Sequence, residues 1–243
     1  HELATQGAKV ILLARTKSKL DAVAETIRAA RGEAHVYPCD LCDPSAVAET
    51  AEQIKGELGV PDLIINNAGA GRWLSVEETD PQEAVSMMGA PYFAAFFTTR
   101  AFVTEMVKRG SGTIANLNSP MAYLVIPGAT GYAACRCALR GFNDGLRSEL
   151  HGTGVRVTHL VFGEVSSEYF EHNPGSHERI PSISKLMPVL SPEKTARLAV
   201  RAIESDRAEL LRPLMLHIVV LLSRLMPGVT NWLMRVTGWK RAV

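Results

Sequence analysis

Residues 112–136 read GTIANLNSPMAYLVIPGATGYAACR. The run Gly112 to Ser119 has the apolar, small-residue character of a strand, and the segment from Gly131 onward reads as a helix. Between them lies a spacing with chemical content, because Ser119 precedes Tyr132 by thirteen positions and Arg136 follows the tyrosine by four. Residues at i and i+4 share a helix face, so a fixed cation stands beside a phenol. An unperturbed phenol titrates near 10, and bringing it close to neutrality takes roughly three units, or about 4 kcal/mol of preference for the phenolate. A neighbouring cation supplies part of that. A serine hydroxyl and an activated phenol can together hold and protonate the oxygen of a carbonyl or alcohol. Taken alone, a tyrosine four residues before an arginine also fits an ordinary surface helix.

Working outward, VPDLIINNAGAG at 60–71 is a second landmark. Leu63 to Asn66 reads as an apolar strand covered on both faces, delivering Asn66, Asn67, Ala68 and Gly69 to the carboxyl edge of a sheet, where ligands bind in open α/β folds. A turn whose asparagines satisfy main-chain groups is compatible with the same residues.

The Ser119, Tyr132 and cation constellation, NNAG and the GTIANLNS strand together resemble the short-chain dehydrogenase/reductase family over almost the whole chain. The resemblance implies an α/β fold of Rossmann type, with a doubly wound parallel sheet in three α/β/α layers. It implies one NAD(P)-binding domain over 1–243, with an apolar C-terminal extension at 205–243. It further implies hydride transfer between a nicotinamide and a carbonyl or alcohol, with Tyr132 as acid/base, Ser119 polarising the substrate oxygen and Arg136 holding the nicotinamide ribose. Three departures stand out. YAACR replaces the family's YxxxK, Pro91 occupies the place of a helix asparagine that begins a proton relay, and Phe162 replaces the proline of PGxVxT. In that last motif Gly163 and Val165 remain, and the resemblance places them at the nicotinamide carboxamide. Asp40 and Leu41 match positions beside the adenine, while Asn67, Ala68 and Gly69 lie against the ribose.

Composition bounds the alternatives. The 243 residues hold 26 Lys and Arg against 25 Asp and Glu, with 47% apolar residues, which fits one large α/β domain and offers no basic stripe for nucleic acid. Cys39, Cys42, Cys135 and Cys137 form two close pairs without the framework spacing of secreted proteins, favouring free thiols, a reducing compartment and a cytoplasmic or membrane-peripheral location. Cys39 and Cys42 have redox or zinc spacing, but no second ligand pair accompanies them. No run of eighteen apolar residues is present.

In chain order, HELATQ reads as the last turns of a helix and Lys9 to Ala14 as a buried strand. The family places a strand and a TGxxxGxG loop before this point, absent from the sequence, and the expectation is a longer natural chain whose first strand lies in the middle of the parallel sheet. Arg15 ends the first strand, where an acidic residue would favour NAD and an arginine holds a 2′-phosphate, so NADP is expected in preference to NAD; a solvated loop is the competing reading. Further helices are expected over 18–31, 44–59, 131–152 and 191–204, and strands over 34–37 and 155–162, with Gly89 to Pro91 ending one helix and Tyr92 to Arg109 forming the next. Residues 168–190 resemble the family's substrate loop, read as a partly ordered lid.

The C-terminal stretch from Pro213 is apolar, methionine-rich and closes with Trp232, Trp239 and the basic pair Lys240 and Arg241. It reads as an interfacial segment rather than a spanning helix. A wall for a hydrophobic small-molecule substrate, a peripheral membrane contact, and a core or homo-oligomer helix all fit it. Besides the reductase, two other readings remain: a nucleotide-binding or interaction protein whose chemistry has decayed, and a membrane-associated lipid binder.

Overall fold

The computed structural model describes residues 1–241. In chain order it contains α1 (Glu2–Thr5), β1 (Lys9–Ala14), α2 (Lys17–Ala29), β2 (Glu33–Pro38), α3 (Pro44–Leu58), β3 (Leu63–Asn66), α4 (Pro81–Met88), α5 (Ala94–Arg109) and β4 (Gly112–Asn118). There follow α6 (Thr130–Glu149), β5 (Val155–Phe162), α7 (Tyr169–His172), α8 (Pro192–Glu204), β6 (Glu209–Arg212), α9 (Leu214–Leu225) and α10 (Pro227–Thr237). Every strand pairing is parallel, which requires crossover helices and therefore layers on both faces.

One face of the sheet packs against α3, α5 and α6, through Ile54, Phe102, Met106 and Leu146 around Ile64, Ile114 and Val157. The opposite face packs against α8 through Ala202 and Ile203 around Ala115, Leu160 and Leu210, and against α2 through Ala24 and Ile27. Strand periodicity of two produces this split directly, since Ile114 and Ala115 go to opposite sides. The architecture is the expected three-layer α/β fold.

The sheet is in two pieces, β1–β2 and β3–β4–β5–β6. They share a core, because Ile11 and Leu13 of β1 pack on the cluster that contains Ile64 of β3. Among the described residues no strand pairs with the other edge of β1 or of β3. This corrects two expectations about burial. The strand Lys9–Ala14 is half-buried with exposed ends rather than buried, and Ile65 in β3 is 38% exposed rather than covered. Each strand has a neighbour on one side alone, so its side chains lack lateral contacts on the other.

Local signals place several ends within two residues. Asp43 caps α3 by accepting from the amides of Ser45 and Ala46 with Pro44 in the first turn, and Ser191 caps α8 by accepting from the Lys194 amide. The expected break at Gly89 to Pro91 is present, but α5 begins at Ala94, after a wide turn over Gly89–Phe93. Proline lacks an N–H and pushes the preceding residue out of the helical region. Ala90 is accordingly extended, at φ −130° and ψ 113°, and its carbonyl accepts from the Ala70 amide at 3.2 Å. The 168–190 segment is laid down as α7 and two short helical turns, His177–Arg179 and Ser182–Leu186.

Candidate active site

The carboxyl ends of β3, β4 and β5 converge on the residues singled out by sequence. Beyond β3, Asn66 turns inward and donates to Asn116 Oδ1 at 2.8 Å and to Thr99 Oγ1 at 3.2 Å. Asn116 in turn donates to Asn143 at 3.1 Å. This buried amide chain ties β3 and β4 to α5 and α6, and leaves Asn67, Ala68 and Gly69 at the surface of the edge.

At the end of β4, Asn118 does the positioning. Its Oδ1 accepts from the Ser119 amide at 2.8 Å, while Nδ2 donates to the Arg136 carbonyl and to His159 Nε2, each at 3.0 Å. With Nε2 accepting, the His159 ring proton is on Nδ1, which faces the Tyr123 hydroxyl at 3.1 Å and Glu209 Oε1 at 3.3 Å. Tyr123 also donates to Glu209. Hydrogen bonds from His159, then Tyr123, hold the Glu209 carboxyl below the usual range, and burial followed by Glu209 pushes the Tyr123 phenol up. Ser119 Oγ accepts from the Met121 amide at 3.3 Å, so its own proton is available for a further acceptor.

Tyr132 and Arg136 lie on α6 and are both buried. The Arg136 guanidinium packs on the face of the tyrosine ring, 4.7 Å from its centroid. Among the described residues its Nε is buried without a hydrogen-bond partner. Gly69 stands against the same group: a Cβ there would come within 2.8 Å of Arg136 Nη2. A side chain at position 69 would therefore displace the tip of the arginine from the NNAG turn.

Over Tyr132 lies an apolar roof the sequence reading did not identify. Trp73 and Tyr169 hold their rings 5.7 and 6.2 Å from that of Tyr132, and Met121, Ile126 and Met234 complete the cluster. Trp73 Nε1 donates to the Tyr169 hydroxyl at 3.1 Å, which donates to the Gly71 carbonyl at 2.6 Å. Burial first, and Tyr132 next, push the Tyr169 phenol far up. These residues come from the loops after β3 and β4, from α7 and from α10, so no periodic pattern marks them.

Gly163 and Val165 follow β5. The Gly163 amide donates to Arg212 at 2.8 Å, Val165 bridges to Leu190, and Phe162 is buried in the α8 core. Arg15 and Asp40 are exposed at the ends of β1 and β2, and Asp40 Oδ1 accepts from the Cys42 amide at 3.0 Å. A cleft of about 1010 Å³ opens between Gly69 and Ala70 on one side and Ser166, Ser167 and Tyr169 on the other. The four cysteines are free thiols, and the described residues contain no cluster suited to a metal.

A family model described as short chain dehydrogenase matches residues 1–176, well over half of the chain. The chain belongs to the short-chain dehydrogenase family. This short-chain dehydrogenase is 31% identical to human short-chain dehydrogenase/reductase 3 over 93% of its own length and 74% of that protein's. Among solved structures, a metagenomic short-chain oxidoreductase in complex with NADP is 27% identical at a TM-score of 0.69, over 86% of this dehydrogenase and 88% of that chain. Gluconate 5-dehydrogenase from Burkholderia cenocepacia, in complex with NADP and tartrate, shares the fold at a TM-score of 0.79 and 20% identity, over 89% and 88%. Membership supports an oxidoreductase of this class.

The residues present fit a nicotinamide cofactor. The Arg136 guanidinium, whose Nη2 end lies against the Gly69 turn at the carboxyl edge of a parallel sheet, has the chemistry to donate to a sugar hydroxyl.

Proposed function

We propose that the protein is an NADP-dependent oxidoreductase that interconverts a carbonyl and an alcohol on a hydrophobic small molecule. The observation that carries this is the Arg136 guanidinium, packed on the Tyr132 ring with its Nη2 end beside Gly69 at the carboxyl edge of the sheet. Arg136, Asn67, Ala68, Gly69, Gly163 and Val165 would hold the nicotinamide half, Asp40 and Leu41 the adenine, and Arg15 the 2′-phosphate. NADP in the related complexes supports that preference. When bound, the nicotinamide supplies or accepts the hydride.

The chain's own residues do the rest. Ser119 donates a hydrogen bond to the substrate oxygen and keeps its proton, while Tyr132 gives a single proton to that oxygen on reduction or takes it on oxidation. Arg136 places its charge over the Tyr132 ring, and Trp73, Tyr169 and Met234 shield that contact from water. The same roof selects an apolar substrate. A reducing, cytoplasmic setting suits the four free thiols.

A second reading is favoured by one observation: Tyr132 is only 6% exposed beneath Trp73 and Tyr169. On that reading the protein binds nucleotide without turning over carbonyls. Single-turnover NADPH oxidation with a panel of lipophilic ketones and aldehydes separates the two. For the reductase, wild type is active, Tyr132→Phe is inactive with unchanged NADPH affinity, and Arg136→Lys retains activity. Equal inactivity of wild type and Tyr132→Phe, with NADPH still bound, establishes the second.

A further inference from the structure

After Glu209 the sequence carries Arg212, Arg224, Arg235, Lys240 and Arg241, and neither Asp nor Glu. The stretch folds into β6, α9 and α10, and the inward stripe of each helix is occupied. Leu216 and Val220 of α9 are buried in a cluster with Val161 and Leu211, and Met234 of α10 is buried in the cluster around Tyr132. The outward stripe is apolar as well. Leu214, Ile218, Leu221 and Leu225 recur along α9 at 50 to 70% exposure, and Val229, Trp232 and Val236 recur along α10 at 44 to 56%. His217 and Arg224 run along one border between the two stripes on α9, and Arg224 turns inward over the Tyr123 ring at 5.4 Å. A contiguous apolar face of this kind on a folded chain marks an interaction surface.

We propose that the outer face of α9 and α10 docks on a lipid bilayer that carries anionic lipid, with both helices lying in the plane of the interface. Their lengths suit lying flat. Helices of 12 and 11 residues span about 16 to 18 Å each, against a hydrocarbon thickness of about 30 Å, and no helix among the described residues is long and apolar enough to cross a membrane. Charge decides against a second copy of the chain as occupant. A two-fold contact would set this face on itself and oppose Arg235 and Lys240 to their own copies, with no carboxylate of the same stretch to pair them. Anionic headgroups supply that charge, and Trp232 has the amphipathic ring found at the headgroup level. Arg241 is otherwise engaged, donating to Glu77 at 2.6 Å. α10 then stands between the bilayer and Tyr132.

Flotation of the full chain with phosphatidylcholine vesicles, with and without phosphatidylserine, tests this independently of any reaction. The expected result is about tenfold more protein floating with phosphatidylserine present, reversed by salt. Brominated lipid should quench tryptophan emission in wild type, with the quenched fraction falling in Trp232→Phe. Leu225→Glu and Trp232→Glu, at exposed positions, should abolish flotation with circular dichroism and melting unchanged. Protein that stays unbound with both vesicle types overturns the proposal. So does equal flotation with both, or a dimer by light scattering that Leu225→Glu dissociates without any vesicle binding.

Discussion

Asn118 donates through its side-chain amide to the main-chain carbonyl of Arg136 at 3.0 Å, joining the end of the strand that bears Ser119 to the helix that bears Tyr132. One buried amide therefore sets the relative position of two parts of the site. The register of β4 against α6 depends on it, and so does the setting of the Ser119 amide.

Asn118→Ala removes three buried hydrogen bonds and leaves the Ser119 amide and His159 Nε2 without partners. It should destabilise the fold by about 1 to 3 kcal/mol. The check is a lower urea midpoint with an unchanged denaturant slope; an unchanged midpoint would show that water replaces the amide.

Gly69→Ala probes the contact between the NNAG turn and Arg136. The added methyl would lie 2.8 Å from Nη2, so the tip of the guanidinium must shift away from the turn. NADPH binding should weaken about tenfold, or ~1.4 kcal/mol, by fluorescence titration. Unchanged affinity and activity would mean that the position of Arg136 is immaterial.

Arg15 is exposed at the end of β1. If it holds the 2′-phosphate, Arg15→Ala should cost NADPH about 1 to 3 kcal/mol of binding and leave NADH unaffected. Equal losses for both cofactors would assign the preference elsewhere.

Glu78 clamps the roof. It accepts two hydrogen bonds from Arg179, whose guanidinium also stacks on Trp239 at 4.7 Å. Arg179 first, and then Ser75, lower its carboxyl from 4.5 to about 2. A folded-state value below the unfolded one gives stability that is present above about pH 5, declines as pH falls and is gone near pH 2. The melting temperature of Glu78→Gln should lie below wild type at neutral pH and converge with it on acidification. A pH-independent difference would point to packing in place of charge.

Much of this molecule follows from local rules that a linear sequence carries. Alternating strand residues face opposite layers, Asp43 and Ser191 cap helices because their side chains reach amides two or three residues on, and Pro91 throws Ala90 out of helical geometry. The i, i+4 relation of Tyr132 and Arg136 belongs to the same class, whereas the three-layer α/β fold was implied by the family resemblance of the Ser119–Tyr132 and NNAG motifs. The strand at Glu209–Arg212 was not legible, because charged residues stand at both of its ends and only Leu210 and Leu211 are apolar; its pairing with His159–Phe162 across the sheet creates it.

What tertiary structure alone decided is where the charge and the walls of the site lie. Sequence spacing put Arg136 beside Tyr132, yet the approach of Gly69, 67 residues earlier in the chain, presses its guanidinium onto the ring face and leaves Nε unpaired. The roof joins Trp73 to Tyr169 across 96 residues and adds Met234 from α10. Such contacts have no periodicity along the chain, since they arise only after non-adjacent strands bring their following loops to one edge. The half-burial of β1 and β3 has the same origin, because a strand's exposure is set by its neighbours in the sheet and not by its own residues.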